Sequence, residues 1–456
     1  MIVMKFGGTS VESAASIERV VSIVKARLDR RPVVVVSAMG KTTNQLLSIA
    51  SGAAGGRGEQ SLRELRGLRE FHIREARPVV STSNWGEAEH TIGGHFQELG
   101  ELVKGLAVLG ELSPRSIDAV SSYGERLSSA IVWLALRSSG IEAAHVDSRR
   151  VIITDRRHTQ AGPVFSMTYS LLGETIPPLA RDKVVVMGGF IGSTEDGVTT
   201  TLGRGGSDFT ASIVGAGIAA EEIQIWTDVD GMLTCDPSIV QSARRVKTIS
   251  FAEAAELAYF GAKVLHPSTL LPAVQKNIPV LILNSHRPEA PGTRIVARPP
   301  ACRNIVKSLA SKRNITVVNI SSTRMLMAHG FLRRIFEVFD HHETPVDMVA
   351  TSEVSVSLTI DSTHRLEEIC AGLREFAEVS IEKNQAIVCL VGENIRYTPG
   401  IAGRAFRVLE GVNVRMISQG ASLLNLGFVV AEKDLAPAIE ALHREFFADL
   451  DPEVFD

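Results

Sequence analysis

Residues 1–36 run Met1-Ile-Val-Met-Lys5-Phe-Gly-Gly-Thr-Ser10, Val11-Glu-Ser-Ala-Ala-Ser-Ile-Glu-Arg-Val20-Val-Ser-Ile-Val-Lys25-Ala-Arg27 and Leu28-Asp-Arg-Arg-Pro32-Val-Val-Val-Val36. The first six form an apolar run that stops at a Gly-Gly turn. Val11 to Arg27 has helical periodicity. Pro32 opens a valine run that suits a buried parallel strand. Further out, Lys183-Val-Val-Val-Met187 repeats the pattern and ends in Gly188-Gly189. Ile223-Gln-Ile-Trp226 is a short strand, and Val280-Leu-Ile-Leu283 reads as the last strand of this region. Residues 51–58, Ser-Gly-Ala-Ala-Gly-Gly-Arg-Gly, read as loop, and about 60 to 140 is mostly helical. Ser250-Phe-Ala-Glu253 fits a capping box at the head of an Ala-rich helix. Strands alternating with helices imply an α/β fold whose mainly parallel sheet is covered on both faces.

The pattern breaks at 288–304, rich in Pro, Arg and Gly, where we place a linker. Beyond it lies an internal repeat. Gly330-Phe-Leu-Arg-Arg334-Ile-Phe336-Glu-Val338 aligns with Gly400-Ile-Ala-Gly-Arg404-Ala-Phe406-Arg-Val408. Val346/Met348 and Val414/Met416 follow the two copies. Two strand–helix–strand units predict two small α+β modules. The expected division is 1–296, 312–384 and 385–456, with the last strand able to return to the first module.

The 456 residues accommodate two or three domains. A net charge of −3 without a basic block disfavours nucleic acid or an anionic membrane as partner. Nothing approaches the roughly 20 apolar residues of a membrane span. Cys235, Cys302, Cys370 and Cys389 are dispersed, without a CxxC pair. They read as reduced core thiols of a cytoplasmic protein. The N-terminus does not have the layout of a signal peptide.

Three glycine-rich turns could present backbone N–H groups to an anion. They are Lys5-Phe-Gly7-Gly8-Thr9-Ser10, Gly188-Gly189-Phe190-Ile-Gly192 and Leu202-Gly203-Arg204-Gly205-Gly206-Ser207-Asp208. Two stand beside a cation, which points to a polyphosphate. Gly40-Lys41-Thr42 imitates half a P-loop, but Val35 stands where that motif needs a glycine. No GxGxxG opens a helix after a strand, so a dinucleotide site is unsupported.

Several strings resemble the aspartokinases, in order and over nearly the whole chain. They are Lys5-Phe-Gly-Gly-Thr-Ser10, Ser37 with Thr43-Asn44, Tyr123-Gly-Glu125-Arg-Leu-Ser128, Thr201-Leu-Gly-Arg204-Gly-Gly-Ser207-Asp208, Trp226-Thr227-Asp228-Val and Phe260-Gly-Ala-Lys263-Val-Leu-His266-Pro267. The resemblance implies an amino-acid kinase fold followed by two ferredoxin-like ACT modules. It implies ATP-dependent phosphorylation of the L-aspartate side chain to 4-phospho-L-aspartate, the first step towards lysine, threonine and methionine. Mg²⁺ would enter mainly on the phosphates.

A carboxylate nucleophile with a pKa of about 4 is already ionised at neutral pH, so it needs no general base. The obstacle is repulsion from the γ-phosphate, which cations and N–H donors must offset. By resemblance, Lys5 neutralises the transferring group, while Gly7, Gly8 and Ser207 hold phosphate oxygens. Lys263 reaches the nucleotide phosphates, and Asp208 orients Lys5. Arg204 suits a bidentate clamp on the substrate α-carboxylate, and Glu125 suits its α-ammonium. Ser37 and Thr43 bond the substrate near its reacting end. Thr227 and Asp228 sit on a loop meeting the nucleotide. The family places an aromatic residue and an arginine further along this loop; Leu233 and Ser238 stand there instead. His266 reads as structural, and His341-His342-Glu343 as a solvated loop.

Met325, Gly330, Phe331, Leu332, Val346, Asp347, Thr351, Ser352 and Glu353 resemble the effector-binding residues of lysine-inhibited, homodimeric aspartokinases. Gly330 opens a helix whose N–H groups could take a carboxylate, and Asp347 and Glu353 could take ammonium groups. Ala328 and Pro345 stand where the family often has hydroxyl residues. Lysine is the expected effector and threonine the alternative. The competing functions are a glutamate-type amino-acid kinase and a catalytically inactive amino-acid sensor.

Overall fold

The computed structural model describes residues 1–261, 267–323 and 329–456. The chain forms two compact units. The first holds Met1–Met232, Lys247–Phe251 and Val264–Pro299; the second holds Leu233–Val246, Ala252–Lys263 and Pro300–Asp456.

The opening strand–helix–strand prediction holds. β1 (Ile2–Phe6) leads through a short 3₁₀ turn into α1 (Ala14–Lys25), and β2 (Pro32–Val36) pairs parallel with β1. Every residue of β1 and β2 is buried, which is why their sequences are apolar runs rather than alternations. Helices α2 (Thr42–Ala54), α3 (Gly58–Val79), α4 (Thr82–Leu109), α5 (Pro114–Ser121) and α6 (Tyr123–Ser138) follow. Then come β3 (Ala143–Val146), α7 (Phe165–Leu179), β4 (Val184–Gly188), β5 (Ile191–Ser193), β6 (Thr199–Thr201), α8 (Gly206–Gly217) and β7 (Glu222–Thr227). β8 (Thr248–Ser250), α9 (Phe251–Tyr259), α10 (Leu271–Lys276), β9 (Val280–Asn284) and β10 (Thr293–Val296) complete this stretch.

The sheet order is β3-β4-β2-β1-β7-β9-β10-β8, parallel except where β10 meets β9. Two expectations fail here. Residues 51–54 and 58 are helical rather than loop, because α2 and α3 pack so closely that a Cβ on Gly52 would stand 2.9 Å from Ser61 Oγ. The glycines there serve helix packing, not turning. Residues 280–283 are not the last strand either; β10 falls inside the supposed linker and extends the sheet.

The second unit carries a six-stranded antiparallel sheet, ordered β12-β13-β11-β14-β16-β15. Its elements are β11 (Val306–Ser321), α11 (Phe331–His341), β12 (Val349–Thr351), β13 (Ser355–Ile360), α12 (Leu366–Arg374), β14 (Glu378–Gly392), α13 (Ile401–Arg407), β15 (Met416–Gln419), β16 (Asn425–Ala431) and α14 (Leu435–Phe446). The repeat is structural: Gly330 and Gly400 both cap their helices with φ of 80°. β11 and β14 are shared lengthwise. Val317–Ser321 pairs with Glu378–Glu382 in one half, and Val306–Lys312 with Ile387–Gly392 in the other. The last strand, β16, pairs with Gln385–Val391 of β14 and with β15, so it stays in the second half instead of returning to the first; Val306–Lys312 joins that second half from the other side.

Helix α9 from Ala252 onward belongs to this second unit, as does Leu233–Val246. Fully buried Lys307 on β11 pairs with Glu253 at 3.0 Å. Glu256 accepts from Ser422 Oγ and Asn425 Nδ2, both at 2.7 Å. Among the described residues no helix is long and apolar enough to cross a membrane.

Candidate active site

Parallel strands deliver their carboxyl ends to one edge of a sheet, where loops can converge on a ligand. β1 delivers Lys5, Gly7 and Gly8, β2 delivers Ser37 and Ala38, and β4 delivers Gly189 and Phe190. A cavity of about 300 Å³ opens there, lined by Lys5, Gly8, Ser37, Thr43, Glu125, Ser207 and Asp208, with Ala38, Gly40, Phe190, Gly203, Gly205 and Gly206. Seven residues expected from sequence thus meet in one recess. A larger recess of about 700 Å³ lies nearby, lined mainly by α2, α3 and the 39–42 loop. Its surface is mostly apolar and holds neither Lys5 nor Asp208, so we place the site in the smaller one.

Lys5, largely buried on β1, pairs with Asp208 Oδ1 at 2.6 Å. Asp208 is in the first turn of α8, and the first residues of that helix, Gly206 and Ser207, also line the recess. The pair fixes the ammonium of Lys5 beside the N-terminal end of α8.

Glu125 is buried in the first turn of α6. Its Oε1 accepts from the Ala38 N–H at 3.1 Å, and its Oε2 has no hydrogen-bond partner among the described residues. Burial pushes this carboxyl up from 4.5 to about 8, against the opposing pull of the Ala38 N–H. Such a group calls for a cationic partner.

Other expected residues stand apart. Arg204 is exposed on the turn between Gly203 and Gly205, and makes no ion pair among the described residues. Gly7 donates its N–H to Trp226 O at 3.1 Å, tying β1 to β7. Thr227 ends β7, one strand over from Lys5, and Asp228 follows it; neither is in the recess lining. Thr227 O accepts from Ser285 N–H at 2.8 Å. Leu233 O accepts from Ser308 Oγ at 2.7 Å, and Ser238 donates to Asp236 Oδ1 at 2.6 Å, so both serve local structure in the second unit. Lys263, His266, Met325 and Ala328 lie outside the described residues.

The effector residues divide. Phe331 is buried against Phe376, and Leu332, Thr351, Ser352 and Glu353 are exposed. Ser322 N–H donates to Val354 O at 2.9 Å, which puts the 352–354 turn at the end of β11 that leads towards Gly330. Val346 and Asp347 lie at the opposite end of β13, where Asp347 N–H bonds Thr359 O at 2.9 Å. Four residue steps along the strand from Ser355 to Thr359 separate the two ends by about 13 Å. Asp347 is already engaged: its Oδ1 receives Lys312 Nζ at 2.8 Å and Tyr259 Oη at 3.2 Å. The expectation of one ligand held by all these residues is not met within a single chain. Strand pairing, which residue spacing does not reveal, separates them.

Sequence reasoning missed Ala38, whose backbone holds Glu125, and Phe190, whose φ of 65° turns the chain over the recess. The Gly188–Gly192 string signalled the second; nothing local signals the first.

Comparison with known proteins adds an independent line. The family model for the amino acid kinase family matches residues 1–284, and an ACT domain model matches residues 388–446. Aspartokinase 1, chloroplastic, of Arabidopsis thaliana is 40% identical over 98% of this chain and 80% of its own length. Lysine-sensitive aspartokinase 3 of Escherichia coli (strain K12) is 36% identical over 98% of this chain and 99% of its own. The crystal structure of E. coli aspartokinase III in complex with aspartate and ADP superimposes with a TM-score of 0.85 at 36% identity, covering 98% of this chain and 100% of that one. On its fold, its full-length relatives and the recess at the strand ends, the chain belongs to the aspartokinases, enzymes of the amino acid kinase family.

Proposed function

We propose that the recess binds L-aspartate and the γ-phosphate end of ATP, and that the product is 4-phospho-L-aspartate, the first intermediate towards lysine, threonine and methionine. The observation carrying this is the Lys5–Asp208 pair at 2.6 Å in the same recess as the unpartnered Glu125 oxygen. One end of the recess offers a fixed cation to a phosphoryl group. The same recess offers the buried Glu125 carboxylate to an ammonium.

Arg204 clamps the α-carboxylate, Glu125 takes the α-ammonium, and Ser37 and Thr43 bond the substrate near its reacting end. Gly8 and Ser207 hold phosphate oxygens, while the Gly7 N–H is committed to Trp226 O and leaves that expected contact unmade; Thr227, Asp228 and Lys263 serve the nucleotide. Lys5 meets the charge that develops on the transferring group. Mg²⁺ enters on the triphosphate, because hard cations keep waters and phosphate oxygens.

The test is ATP-dependent hydroxamate formation with Mg²⁺, using aspartate and glutamate in parallel. Faster turnover of glutamate would assign the glutamate-type reading, and no turnover of either would leave an amino-acid sensor.

The second unit is the sensor in this proposal, and L-lysine its effector. The lysine-sensitive relative in E. coli supports that choice. The carboxylate goes to the Gly330 helix end with Phe331 and Leu332, and an ammonium to Glu353 beside Thr351 and Ser352; Met325 joins them by resemblance. Val346 and Asp347 lie too far along β13 to join the same ligand within one chain. A homodimer through the ACT modules would bring both ends onto it. The cytoplasm suits the four free thiols.

A further inference from the structure

Asp118 lies on α5, distant in sequence from every residue assigned above, and is completely buried. Its carboxylate is met from several sides. Oδ1 accepts from Thr201 Oγ1 at 2.5 Å, and the Thr159 N–H lies 3.0 Å from Oδ1 and 3.1 Å from Oδ2. Oδ2 also faces His158 Nδ1 at 2.7 Å. These donors come from two places, the 155–161 loop and the end of β6. Ala161 N–H ties the same two together by bonding Thr201 O at 2.9 Å.

The segment after Thr201 stands on this platform. Thr159 has a φ of 71°, a conformation that a β-branched residue avoids unless its surroundings hold it there. Its carbonyl is directed at Gly203, where an added Cβ would come within 3.2 Å of Thr159 O. Gly203 itself has a φ of 76°. Gly206 N–H then bonds Gly203 O at 3.0 Å and closes the turn that presents Arg204. Arg204 has no side-chain anchor of its own among the described residues, so the backbone of this turn alone sets where its guanidinium starts.

We infer that Asp118 is a positioning residue for aspartate binding. Through Thr201 and Thr159 it holds the Gly203–Gly206 turn, and so Arg204, in register with Lys5 and Glu125. The inference rests on the reading of Arg204 as the α-carboxylate clamp. A clamp acts on the bound substrate from a fixed place, so loosening its platform weakens substrate capture before anything else.

The test uses the full chain and steady-state kinetics. Thr201→Val removes one donor to Asp118 and keeps the side-chain shape. It is expected to raise KM for aspartate about tenfold, with kcat, KM for ATP and the melting temperature close to the parent. Thr201→Ser, which restores the hydroxyl, should recover aspartate affinity. In an Arg204→Ala background, Thr201→Val should change KM for aspartate less than twofold, because both changes act through one group. Full additivity in that background, or an unchanged KM in Thr201→Val alone, would overturn the inference while leaving the clamp in place. If Arg204→Ala by itself leaves KM for aspartate unaltered, the clamp reading falls and the inference with it. Asp118→Asn gives a second route to the same KM shift, read against its melting temperature.

Discussion

Lys5 and Arg204 carry the same charge but are predicted to fail differently. Lys5 is fixed at 2.6 Å from Asp208 inside the recess, so Lys5→Ala should lower kcat by about 10²-fold or more, by removing charge from the transferring group. Arg204→Ala should chiefly raise KM for aspartate, because a clamp on a non-reacting carboxylate binds ground and transition states alike. Steady-state kinetics that showed the reverse split would exchange the roles. Glu125 makes a pH prediction. Its carboxyl titrates near 8 in the native chain and 4.5 in the unfolded one. Below pH 4.5 both states hold the proton. Between 4.5 and about 8 only the native state keeps it, so this contribution to stability is lost progressively as pH rises through that window. Glu125→Gln removes the titration. In ligand-free protein the variant should gain on the parent from pH 5 to 8, by on the order of 3–5 kcal/mol, as read from urea midpoints. A difference that does not vary with pH would show that burial is not what governs this group. The variant should also bind aspartate more weakly, having lost the charge for the ammonium.

At the scale of elements, α9 shows how a helix is attached. Lys307 is fully buried on β11, and its ammonium is compensated by Glu253 from the first turn of α9. Removing one partner of such a pair leaves charge in an apolar setting. Lys307→Met should therefore cost about 3–5 kcal/mol, on the order of 10 °C in the melting transition of a unit this size. Combining it with Glu253→Gln should cost less than the sum of the two, since each change relieves the other. Simple additivity by calorimetry would mean that the pair is not coupled. The α2–α3 corner shows the limit of composition: Ser51-Gly-Ala-Ala-Gly-Gly-Arg-Gly58 has the makeup of a loop. Packing against α3 makes most of it helical, because the small residues let two helices approach closely.

At the scale of the whole molecule, regulation must connect an effector end in the second unit with a recess in the first. A ligand can do this only by preferring one conformation. L-Lysine should inhibit, and Glu353→Ala should leave aspartate turnover near the parent while weakening inhibition by roughly 1–3 kcal/mol, or about 5–150-fold in the inhibitory concentration. Equal loss of activity and inhibition would make Glu353 a structural residue. Inhibition by threonine alone would change the effector. Sedimentation should find a dimer, since Gly330 and Asp347 are too far apart in one chain to share one lysine.

The sequence by itself determined what is local. Apolar runs at 2–4, 32–36 and 184–187 determined a sheet buried on both faces, because strands that never meet water have no need to alternate. Glycine turns and charges directly after those runs determined where the recess would open. The doubled Gly330 and Gly400 strings determined two like modules. Pairing and burial were decided only by tertiary structure. It assigns Leu233–Val246 and Ala252–Lys263 to the second unit and brings Val306–Lys312 to the second module. It also seals Glu125 from water, sets Asp118 beneath the Arg204 turn and parts Asp347 from Glu353. Each depends on residues tens to hundreds of positions apart meeting in space. A periodicity of two or 3.6 residues specifies which face of an element is apolar, and leaves open which distant segment covers it.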